Sequence, residues 1–192
     1  MSHIPATDLA TFEGRLAMGR AGESLIARWL MRKGYNVLPA YEIAESQFKG
    51  PRIFSVERDL VAPDLLAFRQ KRVLWVEAKS KAAFTWHRLS GTYQDGIDKR
   101  HWLDYLELRR RMPWDLWLLF LHAPGGLAKD NPEGMVPPSG LFGGEIRRLA
   151  ECIDHESDRW GSSGMVYWRC SNLTVDGKPL ATHEEVCIGA EA

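Results

Sequence analysis

The spacing of apolar and polar residues predicts which element each segment of the chain forms. Residues 8–33 carry apolar side chains at helical spacing, so we expect a first helix that Asp8 caps and Gly34 ends. Glu23 shares a face with the apolar stripe of this helix. An ionised carboxylate on a face that packs against a core needs a partner, because an unpaired buried charge is costly.

Four short segments after this helix have the pattern of β-strands. They lie near residue 36, at 52–57, at 64–68 and at 72–79. The last segment alternates most clearly, because successive side chains of a strand point to opposite faces. One predicted face ends in Glu77 and Lys79, and the other ends in Ala78.

The second half of the chain predicts two more helices and two more strands. We expect a polar loop at 80–96, a helix at 97–112, a buried strand at 115–122, an irregular Gly/Pro-rich loop at 123–144, a helix at 145–158 and a strand at 165–175. This order is typical of an α/β protein with a central mixed β-sheet flanked by helices. We expect residues 1–122 to form its core, and residues 123–192 to add a loop and a helix–strand extension packed on the same domain.

Composition narrows the class of protein. The chain has 192 residues, with 25 basic and 25 acidic side chains and a formal net charge of zero. This balance excludes a basic nucleic-acid coat protein and a polybasic membrane binder, but not an enzyme with local positive charge. We expect no membrane span, since no apolar run approaches ~18 residues. Three cysteines, an odd number, favour a reducing cytoplasm over a disulfide framework.

The residues with the clearest chemistry are Pro63-Asp64 and Glu77-Ala78-Lys79. Asp64 begins one predicted strand and Glu77 lies near the end of the next, so neighbouring strands can bring the two carboxylates together. Hard divalent cations prefer oxygen ligands, and Mg²⁺ takes one or two carboxylates while it keeps several waters. A lysine beside such a metal can orient an attacking water or offset charge on a phosphate.

These residues resemble the motif of the PD-(D/E)XK nuclease superfamily, which has a restriction-endonuclease-like fold. The resemblance covers about residues 10–122 and implies a DNA-cleaving enzyme that uses Mg²⁺ or Mn²⁺. It implies that Asp64, Glu77 and the Ala78 carbonyl bind the metal, and that Lys79 assists the water. Resolvase-like members also place a glutamate of the first helix at the site, and Glu23 matches it within GRAGESLIARWLMRKGYNVL. Asp64, Glu77 and Lys79 are thus the predicted catalytic residues.

Basic residues near the motif predict where a nucleic acid would lie. The candidates are Lys81, Arg88, Lys99, Arg100 and Arg109. Four acids at 151–158 would repel phosphate, so we expect that segment to face away from the substrate. The resemblance further implies that the helix region after the lysine strand adds a polar residue to the site, and Gln94, Lys99 and His101 are candidates. The alternative for these three is an ordinary solvated surface.

Two other functions compete with the nuclease. The first is a non-catalytic interaction or nucleic-acid-binding accessory protein that retains a nuclease-like fold. The second is a zinc-stabilised module in the C-terminal third, which holds five potential ligands: Cys152, His155, Cys170, His183 and Cys187. The resemblance implies DNA as the partner and agrees with either a homodimer or a recruiting protein. It gives the class of substrate and not its shape.

Overall fold

The computed structural model of the protein describes residues 12–40, 51–126 and 130–188, with side chains from Arg20 onward. The predicted cap Asp8 lies outside these residues. The helices are α1 (Phe12–Arg32), α2 (Lys99–Arg111), α3 (Ile146–Glu151) and α4 (His183–Cys187). The strands are β1 (Asn36–Pro39), β2 (Arg52–Ile53), β3 (Leu60–Val61), β4 (Leu65–Arg69), β5 (Arg72–Lys81), β6 (Thr85–His87), β7 (Thr92–Asp98), β8 (Asp115–His122), β9 (Gly140–Glu145), β10 (His155–Ser157) and β11 (Met165–Arg169).

A five-stranded mixed sheet forms the centre of the fold. Its order is β1-β4-β5-β8-β9, and β5 and β8 pair in parallel while the other neighbours are antiparallel. The connection between these two parallel strands runs through β6, β7 and α2, because a parallel pair needs a crossover connection. The predicted α/β class, with a central mixed sheet flanked by helices, is confirmed.

The two faces of this sheet bury separate cores. On one face, Ile26 and Leu30 of α1 pack against alternate residues of β4, β5 and β8. On the other face, α2, α3 and a second sheet cover Leu116, Leu118 and Phe120 of β8. Strand β5 lies between the cores, with Ala78 in the first and Glu77 on the opposite side, as alternation requires.

Helix α1 approaches β5 most closely at Gly22. A methyl group at this position would overlap the Ser80 Cβ and lie 2.9 Å from its Oγ. Only a residue without a side chain fits at this crossing. The close approach sets the position of Glu23, the next residue of the helix, relative to the motif on β5.

A second, four-stranded antiparallel sheet has the order β10-β11-β7-β6. The predicted loop at 80–96 is therefore wrong, since it contains β6 and most of β7. Strand β6 has only three residues, and β7 carries the buried Asp95 between Tyr93 and Ile97 on its inner face, so neither shows a clear alternation of apolar and polar residues. The segment 123–144 is likewise not wholly irregular, because β9 begins at Gly140 and pairs with β8. The predicted helix at 145–158 ends at Glu151, and β10 follows it.

Residues beyond 122 contribute to both sheets. Strand β9 extends the central sheet, and β10 and β11 extend the second sheet from β7. Helix α4, which was not predicted, packs near α1, where the Arg32 guanidinium donates to the Glu185 and Val186 carbonyls at 2.8 Å. In the described part of the chain, no helix is long and apolar enough to cross a membrane.

Candidate active site

The entry to strand β4 places Asp64 beside the motif on β5. Leu65 pairs with Val76, so the residue before it lies level with the end of the ladder between β4 and β5. There the Ala78 backbone N–H donates to Asp64 Oδ2 at 2.9 Å instead of to a strand carbonyl. The predicted juxtaposition of Asp64 with Glu77-Ala78-Lys79 is thus present in the fold.

Glu77 presents a carboxylate that its neighbours only half satisfy. Its side chain is 2% exposed, and its Oε1 forms an ion pair with Lys79 Nζ. Its Oε2 is buried and has no hydrogen-bond partner among the described residues. A buried carboxylate oxygen without a partner is costly, and a divalent cation is a ligand that would satisfy it. The donor set therefore fits a hard divalent cation, for which Asp64 and Glu77 would be the carboxylate ligands.

The charges of the site are strongly coupled. Burial, and then the charge of Glu77, raise the pKa of Asp64 to about 7. Burial alone would lower the pKa of Lys79, but the charges of Glu77 and Asp64 raise it above its ordinary value. Two neighbouring carboxylates repel each other when both are ionised, and a cation between them removes this repulsion. The same two charges keep Lys79 protonated as an ammonium.

Glu23 lies in an adjoining cavity on the side of α1. This cavity of about 550 Å³ is lined by Arg20, Glu23, Ser24, Ala27, Arg28, Pro39 and Leu65. Burial raises the pKa of Glu23, and the charge of Asp64 raises it further. Glu23 is therefore close enough to Asp64 and Lys79 to interact with both electrostatically.

Helix α2 brings two more side chains to the cleft in front of the motif. His101 and Tyr105 are four residues apart, so both face the cleft from one side of the helix. The Tyr105 hydroxyl is buried without a partner among the described residues. Burial, and then the charge of Lys79, lower the pKa of His101, which favours a neutral imidazole. Sequence reasoning named His101 but missed Tyr105, although the helical spacing from His101 was a usable signal.

Asp104, also on α2, fixes the segment that leads into Asp64. Its Oδ2 accepts from the Val61 backbone N–H at 3.0 Å, and its Oδ1 pairs with Arg58. Asp104 itself is buried. Helix α2 thus positions both its own cleft residues and strand β3, from which the chain continues to Asp64.

The cleft in front of the motif has a volume of about 430 Å³. It is lined by Pro51, Arg52, Val61, Ala62, Asp64, Glu77, Lys79, Arg100, His101 and Tyr105. Arg52 and Arg100 supply positive charge at its edges, and neither has a side-chain ion pair among the described residues. Arg100 was predicted from the sequence. Arg52 was missed, because it comes before Pro63-Asp64 and no motif marks it.

Several predicted nucleic-acid contacts are engaged elsewhere. Arg109 is buried and bridges Glu145 at 2.8 Å and Asp115 at 3.2 Å, so the structure does not support it as a phosphate contact. Lys99 pairs with Glu156 at 2.5 Å and Asp158 at 3.6 Å, which brings the acidic segment next to the start of α2.

Two other cations are also paired. Lys81 Nζ lies 3.4 Å from Asp95 Oδ1, and Arg88 Nη2 lies 2.5 Å from Asp130 Oδ1. Among the predicted contacts, Arg100 alone lines the cleft. The charge pairing of the folded chain, which is not visible in the sequence, accounts for this difference.

Gln94 does not line the cleft. Its side chain lies on the other face of β7 from Asp95 and donates to Asp154 Oδ2 at 2.8 Å. Strand alternation explains this position, since the segment that contains Gln94 was predicted as loop and is a strand.

The five potential zinc ligands of the C-terminal third are not gathered in one place. Within the described residues, His155 groups with His87 and Asp154 rather than with the cysteines. The Cys152 thiol donates to the Arg148 carbonyl, and the Cys187 Sγ lies 3.6 Å from His183 Nδ1 of the same helix.

Comparisons with known proteins find similarity to solved structures but not to known sequences. No protein-family model matches the chain, and no curated protein sequence matches it. The Holliday junction resolvase Hjc of the archaeal hyperthermophile Archaeoglobus fulgidus is similar in structure, with a TM-score of 0.47 and 10% sequence identity. The match covers 81% of this chain and 91% of that chain. At this distance the function has to be inferred from the side chains of the chain itself.

Proposed function

We propose that the protein is a metal-dependent nuclease that hydrolyses DNA phosphodiester bonds at Asp64, Glu77 and Lys79. The observation that carries the proposal is the buried, unpartnered Glu77 Oε2 beside the Asp64 carboxylate. A buried carboxylate oxygen that is unsatisfied beside a second carboxylate costs stability, and a divalent cation would offset that cost. The resemblance of Pro63-Asp64 and Glu77-Ala78-Lys79 to the PD-(D/E)XK motif supports the same chemistry.

Asp64 and Glu77 would hold Mg²⁺ or Mn²⁺, with the Ala78 carbonyl as a third protein ligand and Glu23 bound directly or through water. The metal, when bound, supplies Lewis-acid activation of a water and of the scissile phosphate. The Ala78 N–H bond to Asp64 Oδ2 leaves Oδ1 of that carboxylate as the oxygen available for ligation. A single backbone contact therefore orients one ligand with respect to the strand that carries the other.

Lys79 acts in this proposal as a positive charge and hydrogen-bond donor. Its raised pKa keeps the ammonium protonated, so it orients the attacking water and offsets the charge that develops on the phosphate. It does not remove a proton in the metal-free arrangement. Its partner Glu77 fixes its direction through their ion pair.

The cleft residues of α2 would contact the substrate next to the metal. Tyr105 keeps its proton, because burial and the charges of Glu77 and Asp64 raise its pKa well above the ordinary value. Its hydroxyl is therefore a proton donor in the cleft beside Glu77, and it would donate to a phosphate oxygen of the bound substrate. Arg52 and Arg100 at the cleft edges would bind the flanking phosphates.

The acidic segment 151–158 limits the direction from which DNA approaches. It lies beside the beginning of α2, where Glu156 and Asp158 pair with Lys99. The duplex or branch would therefore reach the cleft from the side of Arg52. The zero net charge agrees with an enzyme that binds DNA through its metal and a local basic edge. We place this enzyme in the cytoplasm, as a dimer or with a recruiting protein.

A cleavage panel tests the proposal. Linear, nicked, flapped, branched and single-stranded DNA would be incubated with the protein in Mg²⁺ and in Mn²⁺, and products would be resolved on denaturing gels. We expect wild-type protein to cut at least one substrate and Lys79→Met to cut none while it remains folded. His183→Gln, on α4 away from the cleft, is the matched control. Cleavage by Lys79→Met at the wild-type rate would remove the proposal.

A further inference from the structure

The second sheet carries a cluster of metal-ligating side chains on its outer face. Alternation along β7 turns Tyr93, Asp95 and Ile97 toward the core, and leaves Thr92 and Gln94 on the opposite face. The register places His87 opposite Thr92, and His155 opposite Tyr167. One donor atom each of His87, Asp154 and His155 lies within 4.8 Å of the other two.

The Asp154 carboxylate is held in place from several sides. Its Oδ1 pairs with the Arg169 guanidinium, and its Oδ2 accepts from Gln94 Nε2 at 2.8 Å. The same Oδ2 lies 2.9 Å from His155 Nδ1. Only 9% of the Asp154 side chain is exposed. Carboxylates that bind metals are held by hydrogen bonds of this kind from neighbouring groups.

The His87 ring is also oriented by a neighbour. Its Nδ1 lies 2.7 Å from Ser90 Oγ, which is itself 2.8 Å from Thr92 Oγ1. The Nδ1 atom is thus engaged in a hydrogen bond within the β6–β7 hairpin, which leaves Nε2 as the atom that could bind a metal ion. A hydrogen bond to one imidazole nitrogen fixes the direction in which the other offers its lone pair.

A glycine allows the rings to lie together across the sheet. The His155 ring stacks on Tyr167 and on His87, with centroid distances of 4.8 Å for both pairs. Tyr167 leans over Gly96, where a methyl group would lie 2.7 Å from Tyr167 Cδ1. The polar outer face of β7 therefore has room for a compact cluster at this point.

We propose that His87, Asp154 and His155 form a zinc site that joins the β6–β7 hairpin to strand β10. The ion would replace the hydrogen that His155 Nδ1 and Asp154 Oδ2 share, and His87 would supply the third ligand. Zinc bonds of about 2.0–2.1 Å put neighbouring donors roughly 3.3 Å apart. Because an imidazole binds a metal in the plane of its ring, the His87 ring has to turn out of its stack on His155 when the ion binds. Two imidazoles and one carboxylate suit zinc and similar transition metals, not Mg²⁺.

The site is separate from the proposed nuclease centre in both position and chemistry. Glu77 and Lys79 face the cleft of the central sheet, whereas the cluster lies on the outer face of the second sheet. With a water as its fourth ligand, the zinc would stabilise the fold by linking His87 to Asp154 and His155, which follow it by 67 and 68 residues. Its presence can therefore be measured without DNA and without Mg²⁺.

Zinc binding by purified protein tests the proposal. Protein stripped with chelator would be titrated with Zn²⁺ and with Co²⁺, with elemental analysis after gel filtration and visible absorption of the Co²⁺ form. We expect one zinc per chain, a tetrahedral Co²⁺ spectrum and a rise in Tm. His87→Gln and His155→Gln should each weaken binding at least ~100-fold, and Gln94→Ala about 10-fold to 100-fold, as for other groups that hold a ligand.

Matched variants decide between locations of the ion. His183→Gln, Asp64→Asn and Glu77→Gln should bind zinc as the wild-type protein does. Absence of stoichiometric zinc would overturn the proposal, as would zinc that is lost in Asp64→Asn but retained in both histidine variants. His87 lies on a partly exposed hairpin, so His87→Gln tests the site even if His155→Gln fails to fold.

Discussion

The crossing of α1 over β5 at Gly22 and Ser80 gives a quantitative test of the fold around the site. Gly22→Ala would push a methyl group into the Ser80 side chain. Removing that side chain as well, with Ser80→Gly, leaves the Ser80 Cα as the nearest of the contacted atoms, at 3.4 Å, which is an ordinary van der Waals distance. The double variant should therefore tolerate the alanine that the single variant does not.

The expected free energies follow from this geometry. Overpacking costs about 1–3 kcal/mol, whereas alanine in place of a helical glycine gains about 1 kcal/mol. Gly22→Ala should thus lower the free energy of unfolding by up to about 2 kcal/mol in the wild-type background. In the Ser80→Gly background the same change should raise it by up to about 1 kcal/mol, so the coupling energy is about 1–3 kcal/mol.

Urea unfolding of the four proteins in EDTA, followed by tryptophan fluorescence, measures this coupling. Cleavage should fall with Gly22→Ala, because α1 also carries Glu23, and should recover in part in the double variant. If the two substitutions are additive within about 0.5 kcal/mol, α1 does not cross β5 at this point and the placement of Glu23 is wrong.

Three other predictions concern the site and its supports. Asp64→Asn should raise the free energy of unfolding of the metal-free protein at pH 8, measured in urea with EDTA. Burial and the charge of Glu77 raise the pKa of Asp64 to about 7, so at pH 8 the carboxylate is ionised in an unfavourable environment. An unchanged or lower free energy of unfolding would contradict this. Asp98→Ala removes the cap of α2 and should cost about 1 kcal/mol at pH 7. Burial alone would raise the pKa of Asp98, but hydrogen bonds from Ser163, Ser162 and the Arg100 N–H lower it. The stability that the cap contributes is therefore present above the pKa of Asp98 in the unfolded chain and is lost as the pH falls through its pKa in the folded chain. A difference in Tm between wild type and Asp98→Ala that does not change with pH would refute the assignment. Arg52→Ala and Arg100→Ala should each weaken DNA binding and reduce the slope of log K against log salt by about 1, measured by fluorescence anisotropy, whereas Arg110→Ala, which only breaks a surface pair with Glu107, should leave the slope unchanged.

The sequence predicted the central sheet well and the second sheet poorly. Strands β4, β5 and β8 are largely buried, and their sequences either alternate between apolar and polar residues or are continuously apolar. Both patterns are ordinary signals of a β-strand. Strands β6 and β10 have three residues each, which is too short for a period to be read. Strand β9 contains Gly140, Gly143 and Gly144, which are ordinarily signals of a turn. In the folded chain, Gly140 and Gly143 lie against the backbone carbonyls of Ala181 and Leu118, and Gly144 lies against the Arg148 guanidinium.

The candidate site was predicted where the signal is local and missed where it depends on tertiary structure. Spacing and strand order were enough to suggest that Asp64 would meet Glu77 and Lys79. Whether a particular cation is available to DNA depends on which acids lie next to it in the fold, and Arg109 illustrates the difficulty. Arg52 and Tyr105 line the cleft because β2 and α2 pack beside it. No sequence motif indicates this packing, so neither residue was predicted.

The most direct test of the central claim is the Mg²⁺ dependence of single-turnover DNA cleavage by wild-type protein and Glu77→Gln. The substrate would be the one that is cut fastest in the panel, with His183→Gln as the folded control. We predict a rate that rises with Mg²⁺ and saturates for the wild type and the control, and a loss of about 100-fold or more in Glu77→Gln, as for the removal of one key electrostatic group. Equal rates for wild type and Glu77→Gln, or cleavage that persists in EDTA, would contradict the assignment of Asp64, Glu77 and Lys79 as a metal-dependent nuclease centre.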